Sequence, residues 1–183
     1  MVLLETPGCD VSASAQNFTL PALSGELVSL EDFRGGVGLV VAFICNHCPY
    51  VIAQISDFVS DAEILRDIGV NVVAIMPNDF HEYPEDSPEK MVVFAETHNF
   101  GFPYLLDETQ QVARSYGAVC TPDYFGFDRD LKLRYRGRLD NLRIDRQQER
   151  IPELVNTMKR NKDEERELEP QLPSMGCSIK WKQ

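Results

Sequence analysis

The amino-acid sequence predicts an α/β domain with a parallel core sheet, and three observations support that prediction. A continuous apolar run, Gly38–Ile44, is typical of a strand that is buried on both faces of a sheet. The apolar residues of the next segment, Pro49–Ile68, recur at helical spacing, and Gly69 follows as a stop signal. A second apolar run, Val70–Met76, completes a β-α-β unit, whose crossover is expected to be right-handed.

Shorter elements are predicted on both sides of this unit. Phe18–Leu20 and Leu27–Leu30 flank a turn that contains glycine, which predicts a β-hairpin ahead of the core. Ser87 and Pro88 mark the beginning of a second helix. The later predictions, in chain order, are a strand at Pro103–Leu106, a helix that Thr109 caps and Gly117 ends, a hairpin of Tyr124–Phe127 with Leu131–Tyr135, and a final helix with Pro152 in its first turn.

Length and composition set limits on function. The 183 residues, 43% of them hydrophobic, can bury a core without disulfide support. A net charge of −11 argues against binding to nucleic acid or to anionic membranes, because both favour basic patches. Residues Met1–Asp10 lack the basic residues of a secretory signal, and no apolar run approaches the length of a membrane span. The expected location is the cytoplasm, where cysteines are redox-active, metal-binding or inert.

The most informative motif is Cys45-Asn46-His47-Cys48, which lies where the first core strand gives way to the first helix. Two thiols in this spacing can form and break a disulfide within the motif. Cys45 is expected to lie near unpaired N–H groups of the helix, which would lower its pKa and make it the more exposed, attacking thiol, with Cys48 as the resolving thiol. His47 adds a donor or a positive charge beside the sulfur, which favours an oxidising pair.

The remaining cysteines leave alternatives open. A thiol pair of this kind is also half of a structural zinc site, but the other cysteines and histidines lack the spacing of two further ligands. No metal or other cofactor is therefore predicted. Cys120 is either a small buried residue or a thiol that faces the redox pair. Cys177, in a terminal segment, is either an unused surface thiol or an auxiliary thiol that resolves a sulfenic acid or a mixed disulfide.

The order of elements, with a thiol pair after the first core strand, resembles the thioredoxin fold over roughly Val11–Lys159. The residues that carry the resemblance are Cys45, Cys48, Pro49, Thr121 and Pro122. The resemblance implies a thioredoxin-like fold, with a central mixed sheet flanked by helices and an N-terminal β-hairpin extension. It places the thioredoxin-like domain at residues 1–160 and a C-terminal tail at residues 161–183.

The same resemblance implies how a substrate would dock. Thr121-Pro122 is similar to the cis-proline of the thioredoxin fold, which lies against the redox pair and offers backbone groups to an incoming substrate strand. Thr121 and Pro122 are therefore expected to be substrate-docking residues.

More narrowly, the chain resembles the peroxiredoxin-like branch of the AhpC/TSA superfamily. Cys45–Val51, Val119–Pro122 and Pro173–Trp181 are similar to the signatures of that branch. The peroxidases of the superfamily carry Thr-Xaa-Xaa-Cys with a single reactive cysteine. Here Cys45 occupies the threonine position, and Cys48 aligns with the reactive cysteine. This departure favours disulfide exchange over peroxide reduction.

Three functions remain open at this stage. The leading one is a thiol-disulfide oxidoreductase that acts on protein or small-molecule disulfides and depends on a thiol reductant such as a thioredoxin or glutathione system. The second is a thiol-dependent peroxidase of the antioxidant type, in which a sulfenic acid condenses with a second thiol. The third is a copper-binding or zinc-binding thioredoxin-fold module, since thiolates with imidazole suit those metals.

Overall fold

The computed structural model describes residues 3–7, 13–142, 144, 147–161 and 171–183. Two helical segments are 3₁₀ helices, at Leu30–Phe33 and Pro84–Asp86. The strands, in chain order, are β1 (Leu3–Glu5), β2 (Thr19–Pro21), β3 (Leu27–Ser29), β4 (Gly38–Phe43), β5 (Val70–Met76), β6 (Tyr104–Leu106), β7 (Cys120–Thr121), β8 (Asp123–Asp128), β9 (Leu133–Gly137) and β10 (Met175–Ser178). The α-helices are α1 (Pro49–Asp67), α2 (Pro88–Thr97), α3 (Gln111–Tyr116) and α4 (Glu153–Asn161).

A five-stranded mixed sheet of the order β6-β5-β4-β8-β9 forms the centre of the fold. Strands β4, β5 and β6 pair in parallel, whereas β8 pairs antiparallel with both β4 and β9. Strands β2 and β3 form the predicted N-terminal hairpin. The predicted α/β class, with a parallel core inside a mixed sheet, is therefore confirmed.

The composition of β4 follows from its central place in the sheet. All six of its residues are buried. Val40 and Ala42 contact an apolar cluster to which α1, α2 and α4 contribute, and Val41 and Phe43 contact a second cluster formed with the hairpin and α3. Because both faces are covered, the strand is a continuous apolar run rather than an alternating one. This burial holds the end of β4 rigidly, and the thiol motif begins two residues later.

Three short strands are absent from the sequence prediction. Strands β1, β10 and β7 form a second, antiparallel sheet, in which β10 is the central strand. Their partners lie far apart along the chain, so no local pattern indicates them. The described part of the C-terminal tail thus packs against the fold. The domain boundary at residue 160 stays a prediction, and residues 162–170 lie outside the described part of the chain.

Two helix beginnings also differ from the prediction. Helix α3 begins at Gln111 after Gln110, which adopts a left-handed conformation with a φ of 61°, so Thr109 is not the capping residue. Helix α4 begins at Glu153, so Pro152, which the sequence predicts in the first turn of this helix, precedes it. Among the described helices, none combines the length and the apolar character that a membrane crossing requires.

Arg150 forms an ion-pair network that fixes α1. Its guanidinium contacts Asp61 of α1, and its Nε lies 2.7 Å from Asp140. Asp61 and Asp140 are only 1% and 3% exposed. We expect Arg150→Met to lower the free energy of unfolding by about 3 kcal/mol, because it leaves two buried carboxylates without their cation. In chemical denaturation, Arg34→Met, which breaks a surface pair with Glu31, should have a much smaller effect; equal effects would contradict this explanation.

Candidate active site

The thiol motif lies at the carboxyl end of β4, where the chain enters α1. Cys48 is the N-cap residue of α1, and Pro49 is the first helical residue. Cys45 and Cys48 are 1% and 0% exposed. The four cysteines that the structure describes, which exclude Cys9, are thiols rather than disulfides.

Thr121, the residue before Pro122, lies directly against the two thiols. The peptide bond between Thr121 and Pro122 is cis, as the resemblance to the thioredoxin fold implies. The Thr121 hydroxyl oxygen lies 3.2 Å from Cys45 Sγ, and the Thr121 carbonyl oxygen lies 3.1 Å from Cys48 Sγ. The topology thus brings a loop from more than 70 residues away onto the Cys45-to-Cys48 motif.

Cys177 is a third thiol in the same site. It lies on β10, is 2% exposed, and its Sγ is 2.9 Å from the Sγ of Cys48. The alternative of an unused surface thiol is therefore wrong. Local sequence could not show this placement, because β10 reaches the motif only by pairing with β7.

The three thiols give Cys48 an unusually low pKa. A hydrogen bond from the Cys45 thiol is the largest contribution to a pKa of about 5. Burial acts in the opposite direction, and further hydrogen bonds from the Cys177 thiol and from the Val51 and Cys177 N–H groups lower the pKa again. The Thr121 carbonyl oxygen can accept a hydrogen bond from Cys48 only when Cys48 is protonated. The thiol and N–H groups that donate to Cys48 are more numerous than this one acceptor. The balance of these contacts favours the thiolate form of Cys48.

The two neighbouring thiols keep their protons. Burial raises the pKa of Cys45 well above its ordinary value, and its hydrogen bond to Cys48 and the charge of Asp86 raise it further. Burial and the hydrogen bond to Cys48 raise the pKa of Cys177 to about 12. The prediction that Cys45 has the lower pKa is therefore wrong, and neither thiol is exposed.

The position at which α1 begins contributes to this reversal. The free N–H groups of a helix lie in its first turn, and the N-cap side chain is the group that faces them. That residue is Cys48, whereas Cys45 lies three residues earlier. Cys45 instead lies within range of the negative charge of Asp86, which disfavours a second thiolate.

His47 is held by Asp86 on the other side of the motif. The carboxylate of Asp86 is fully buried, and one of its oxygens lies 2.8 Å from His47 Nδ1. This contact with Asp86 is the largest cause of the raised pKa of His47, and the negative charge of Cys48 adds to it. The imidazole stacks on Tyr83, with ring planes 4° apart. His47 is thus a fixed, readily protonated group beside the thiols.

Asp86 is the site residue that the sequence does not predict. It accepts hydrogen bonds from the Asn46 N–H and the Asn78 side chain, both at 2.8 Å. The Asn46 side chain in turn accepts a hydrogen bond from the Tyr104 hydroxyl. The only sequence signal for Asp86 is its location after β5, since the loops at the carboxyl ends of parallel strands meet at one edge of the sheet.

Two further expectations concern Cys120 and metal binding. The Cys120 thiol is buried and lies 3.6 Å from the Pro122 carbonyl oxygen, and burial raises its pKa.

Cys45, His47 and Asp86 each present one possible metal-ligand atom, and these atoms lie within 4.8 Å of one another. A soft metal would need the Cys45 thiolate, which the raised pKa of that thiol opposes.

Comparisons with known proteins agree with this geometry. The model of the AhpC/TSA family matches residues 11–136. Peroxiredoxin Bcp of Escherichia coli is 31% identical over 112 residues, which are 61% of this chain and 67% of that protein. A crystal structure of an uncharacterized conserved protein from Geobacillus kaustophilus is 42% identical, with a TM-score of 0.89, and the alignment covers 100% of this chain and 97% of that one.

A more distant structure bears on the fold alone. The thioredoxin domain of a thiol-disulfide oxidoreductase from Bacteroides vulgatus is 20% identical, with a TM-score of 0.64, over 84% of this chain and 98% of that one. This likeness and the central mixed sheet agree with each other. The chain belongs to the AhpC/TSA family and is a thiol-dependent redox enzyme with a thioredoxin-like fold.

Proposed function

We propose that this protein is a thiol-disulfide oxidoreductase in which Cys48 attacks and Cys45 resolves. The observation that carries the proposal is the buried Cys48 sulfur, whose pKa of about 5 results from the thiols beside it. The Cys48 thiolate attacks one sulfur of a substrate disulfide, and the other substrate sulfur leaves as a thiolate. Cys45 then loses its proton to that leaving group and attacks Cys48, which forms the Cys45–Cys48 disulfide and releases the second substrate thiol.

Small-molecule disulfides are the substrates that this site favours. The backbone edge at Thr121, where a substrate strand would dock, is paired with β10. A cleft of about 510 Å³ lies beside the first turn of α1 and is lined by Tyr50, Gln54, Ser174 and Met175, among other residues. A thiol reductant such as a thioredoxin or glutathione system would return Cys45 and Cys48 to the reduced state.

His47 completes the proposal as a tuning residue. Its imidazole, whose pKa Asp86 raises, stabilises the nearby thiolate of the reduced protein. A stabilised reduced form makes the pair a better oxidant. The site needs no metal for this reaction, and the predicted cytoplasmic location belongs to the same proposal.

A second candidate is a thiol-dependent peroxidase. The observation in its favour is that the low pKa belongs to Cys48, which aligns with the reactive cysteine of the superfamily's peroxidases. In that reaction the Cys48 thiolate attacks a peroxide oxygen and becomes a sulfenic acid, and the other oxygen leaves as water or an alcohol. Cys45 then condenses with the sulfenic acid and releases water. The peroxiredoxin relatives support this candidate.

Rapid mixing of the reduced protein with either substrate separates the two candidates. Trp181 is the single tryptophan and packs against the second apolar cluster, so the loss of free protein thiols after an acid quench, rather than intrinsic fluorescence, should report the reaction. We expect glutathione disulfide to oxidise the protein faster than hydrogen peroxide at equal concentration and neutral pH. Faster oxidation by peroxide would overturn the leading proposal in favour of the second. The Cys120→Ser variant is the matched control.

A further inference from the structure

Strand β10 occupies the edge of the site that a substrate strand would use. It pairs antiparallel with β7, with Cys177 opposite Thr121 and Ser178 opposite Cys120. Strand addition to an exposed edge is a general way in which an extended peptide is recognised. The chain thus places a segment of its own in the position of a peptide substrate, with a cysteine opposite the residue next to Pro122.

The contact between β10 and the Thr121-Pro122 loop is close. A Cβ atom on Gly176 would fall far inside van der Waals contact with the Thr121 carbonyl group. The Ser174 hydroxyl donates a hydrogen bond of 2.7 Å to the Pro122 carbonyl oxygen, and Ser174 is buried. Only glycine at position 176 allows β10 to approach so closely.

The other end of the strand is tied to the loop after β5. The Lys180 N–H donates to the Asn78 side chain at 2.9 Å, and the Lys180 carbonyl oxygen accepts from the Asp79 N–H at 2.8 Å. Hydrogen bonds at both ends therefore hold Cys177 in register. Its sulfur lies 2.9 Å from the Cys48 sulfur, so thiol exchange between them needs little movement.

We propose that β10 is a built-in substrate strand and that Cys177 is a third redox thiol. The proposal rests on the proposed function and names an additional step within it. In the oxidised protein, the Cys177 sulfur, on losing its proton, attacks Cys48 in the Cys45–Cys48 disulfide. A Cys48–Cys177 bond forms, the Cys45–Cys48 bond breaks, and Cys45 leaves as a thiolate that takes up the proton. The exchange is balanced within the chain and needs no external oxidant or reductant.

This step has a consequence for specificity. While β10 is paired with Thr121, a protein disulfide has no edge on which to dock, whereas a small disulfide needs none. A Cys48–Cys177 disulfide would fasten β10 in that position. Small substrates would therefore oxidise the protein into a state that excludes protein substrates.

Disulfide mapping of the full-length chain tests the proposal. The reduced wild type and the Cys45→Ser and Cys177→Ser variants are oxidised with glutathione disulfide, quenched with acid, blocked with N-ethylmaleimide and mapped by peptide mass spectrometry. We expect Cys45→Ser to lose two thiols per chain as a Cys48–Cys177 disulfide within the monomer. The wild type should contain both this disulfide and the Cys45–Cys48 disulfide.

The variants separate failure of this inference from failure of the proposed function. If Cys45→Ser accumulates only a glutathione adduct at Cys48, or only dimers, Cys177 is not a redox thiol. In that event the proposed function still stands, provided that Cys177→Ser forms the Cys45–Cys48 disulfide. If Cys177→Ser forms no Cys45–Cys48 disulfide, the proposed function itself fails.

A second variant tests the role of β10 in specificity. Gly176→Val should push β10 away from Thr121, so turnover of insulin disulfides should rise by about tenfold as the edge becomes available. Leu27→Ala, which changes an exposed side chain on β3, is the control and should not change insulin turnover. Unchanged insulin turnover in a Gly176→Val protein whose circular dichroism matches the wild type would overturn the specificity claim.

Discussion

Cys48→Ser is expected to abolish reaction with disulfides, lowering the rate by at least roughly 10³-fold. The variant loses the thiolate that starts the reaction, and the protonated Cys45 cannot replace it, because burial raises the pKa of Cys45. The release of thiols from a chromogenic aromatic disulfide, followed under pseudo-first-order conditions, measures the rate.

Cys45→Ser and Cys120→Ser are the matched comparisons for this experiment. Cys45→Ser should keep the first attack by Cys48, so a burst of the first substrate thiol should still appear, and the resolution that follows should depend on Cys177. Cys120→Ser should react at the wild-type rate, because that thiol is buried and its pKa is raised. Loss of the burst in Cys45→Ser, together with its retention in Cys48→Ser, would reverse the two roles.

The second large effect concerns the pH at which Cys48 reacts. In the wild type, the thiolate forms as the pH rises through about 5, so reactivity is full at neutral pH and falls only near and below pH 5. Cys45→Ala removes the largest cause of this low pKa. A hydrogen bond to a charged group contributes about 1.5–3 kcal/mol, so the pKa of Cys48 should rise by roughly one to two pH units. The thiolate ultraviolet absorbance, titrated against pH, measures the new pKa.

Cys45→Ser provides the control, because its hydroxyl group can still donate a hydrogen bond to Cys48. The pKa of Cys48 should therefore rise less in Cys45→Ser than in Cys45→Ala. At a pH just above 5, alkylation of Cys45→Ala should be slower than that of the wild type, by up to about tenfold if the pKa of Cys48 rises by about one pH unit. Identical titrations for Cys45→Ala and the wild type would show that another group stabilises the thiolate.

The features that the sequence predicts correctly are those that depend on local patterns. The burial of β4 on both faces makes Gly38–Phe43 uniformly apolar, and the buried face of α1 recurs at helical spacing. Together they locate the thiol motif at a strand-to-helix junction. The position of Thr121-Pro122 beside the motif came from resemblance to a known fold, since no local pattern links residues so far apart.

The features that the sequence misses depend on single residues or on distant contacts. The shift from Cys45 to Cys48 as the low-pKa thiol depends on the hydrogen bonds among the three thiols and on the exact residue at which α1 begins, and helix ends are the least certain part of any pattern. The location of Cys177 depends on the pairing of β10 with β7, and that of Asp86 on a loop that folds back onto Asn46. Both contacts are set by the tertiary fold.

Competitive alkylation tests the central claim, that Cys48 is the nucleophile, most directly. The reduced wild type is treated with a limiting amount of iodoacetamide at a pH slightly above 5, and each cysteine peptide is quantified by mass spectrometry over time. The low pKa of Cys48 and the raised pKa values of Cys45 and Cys177 predict that the Cys48 peptide is labelled first. Labelling of Cys45 before Cys48 would contradict the assignment of Cys48 as the nucleophile.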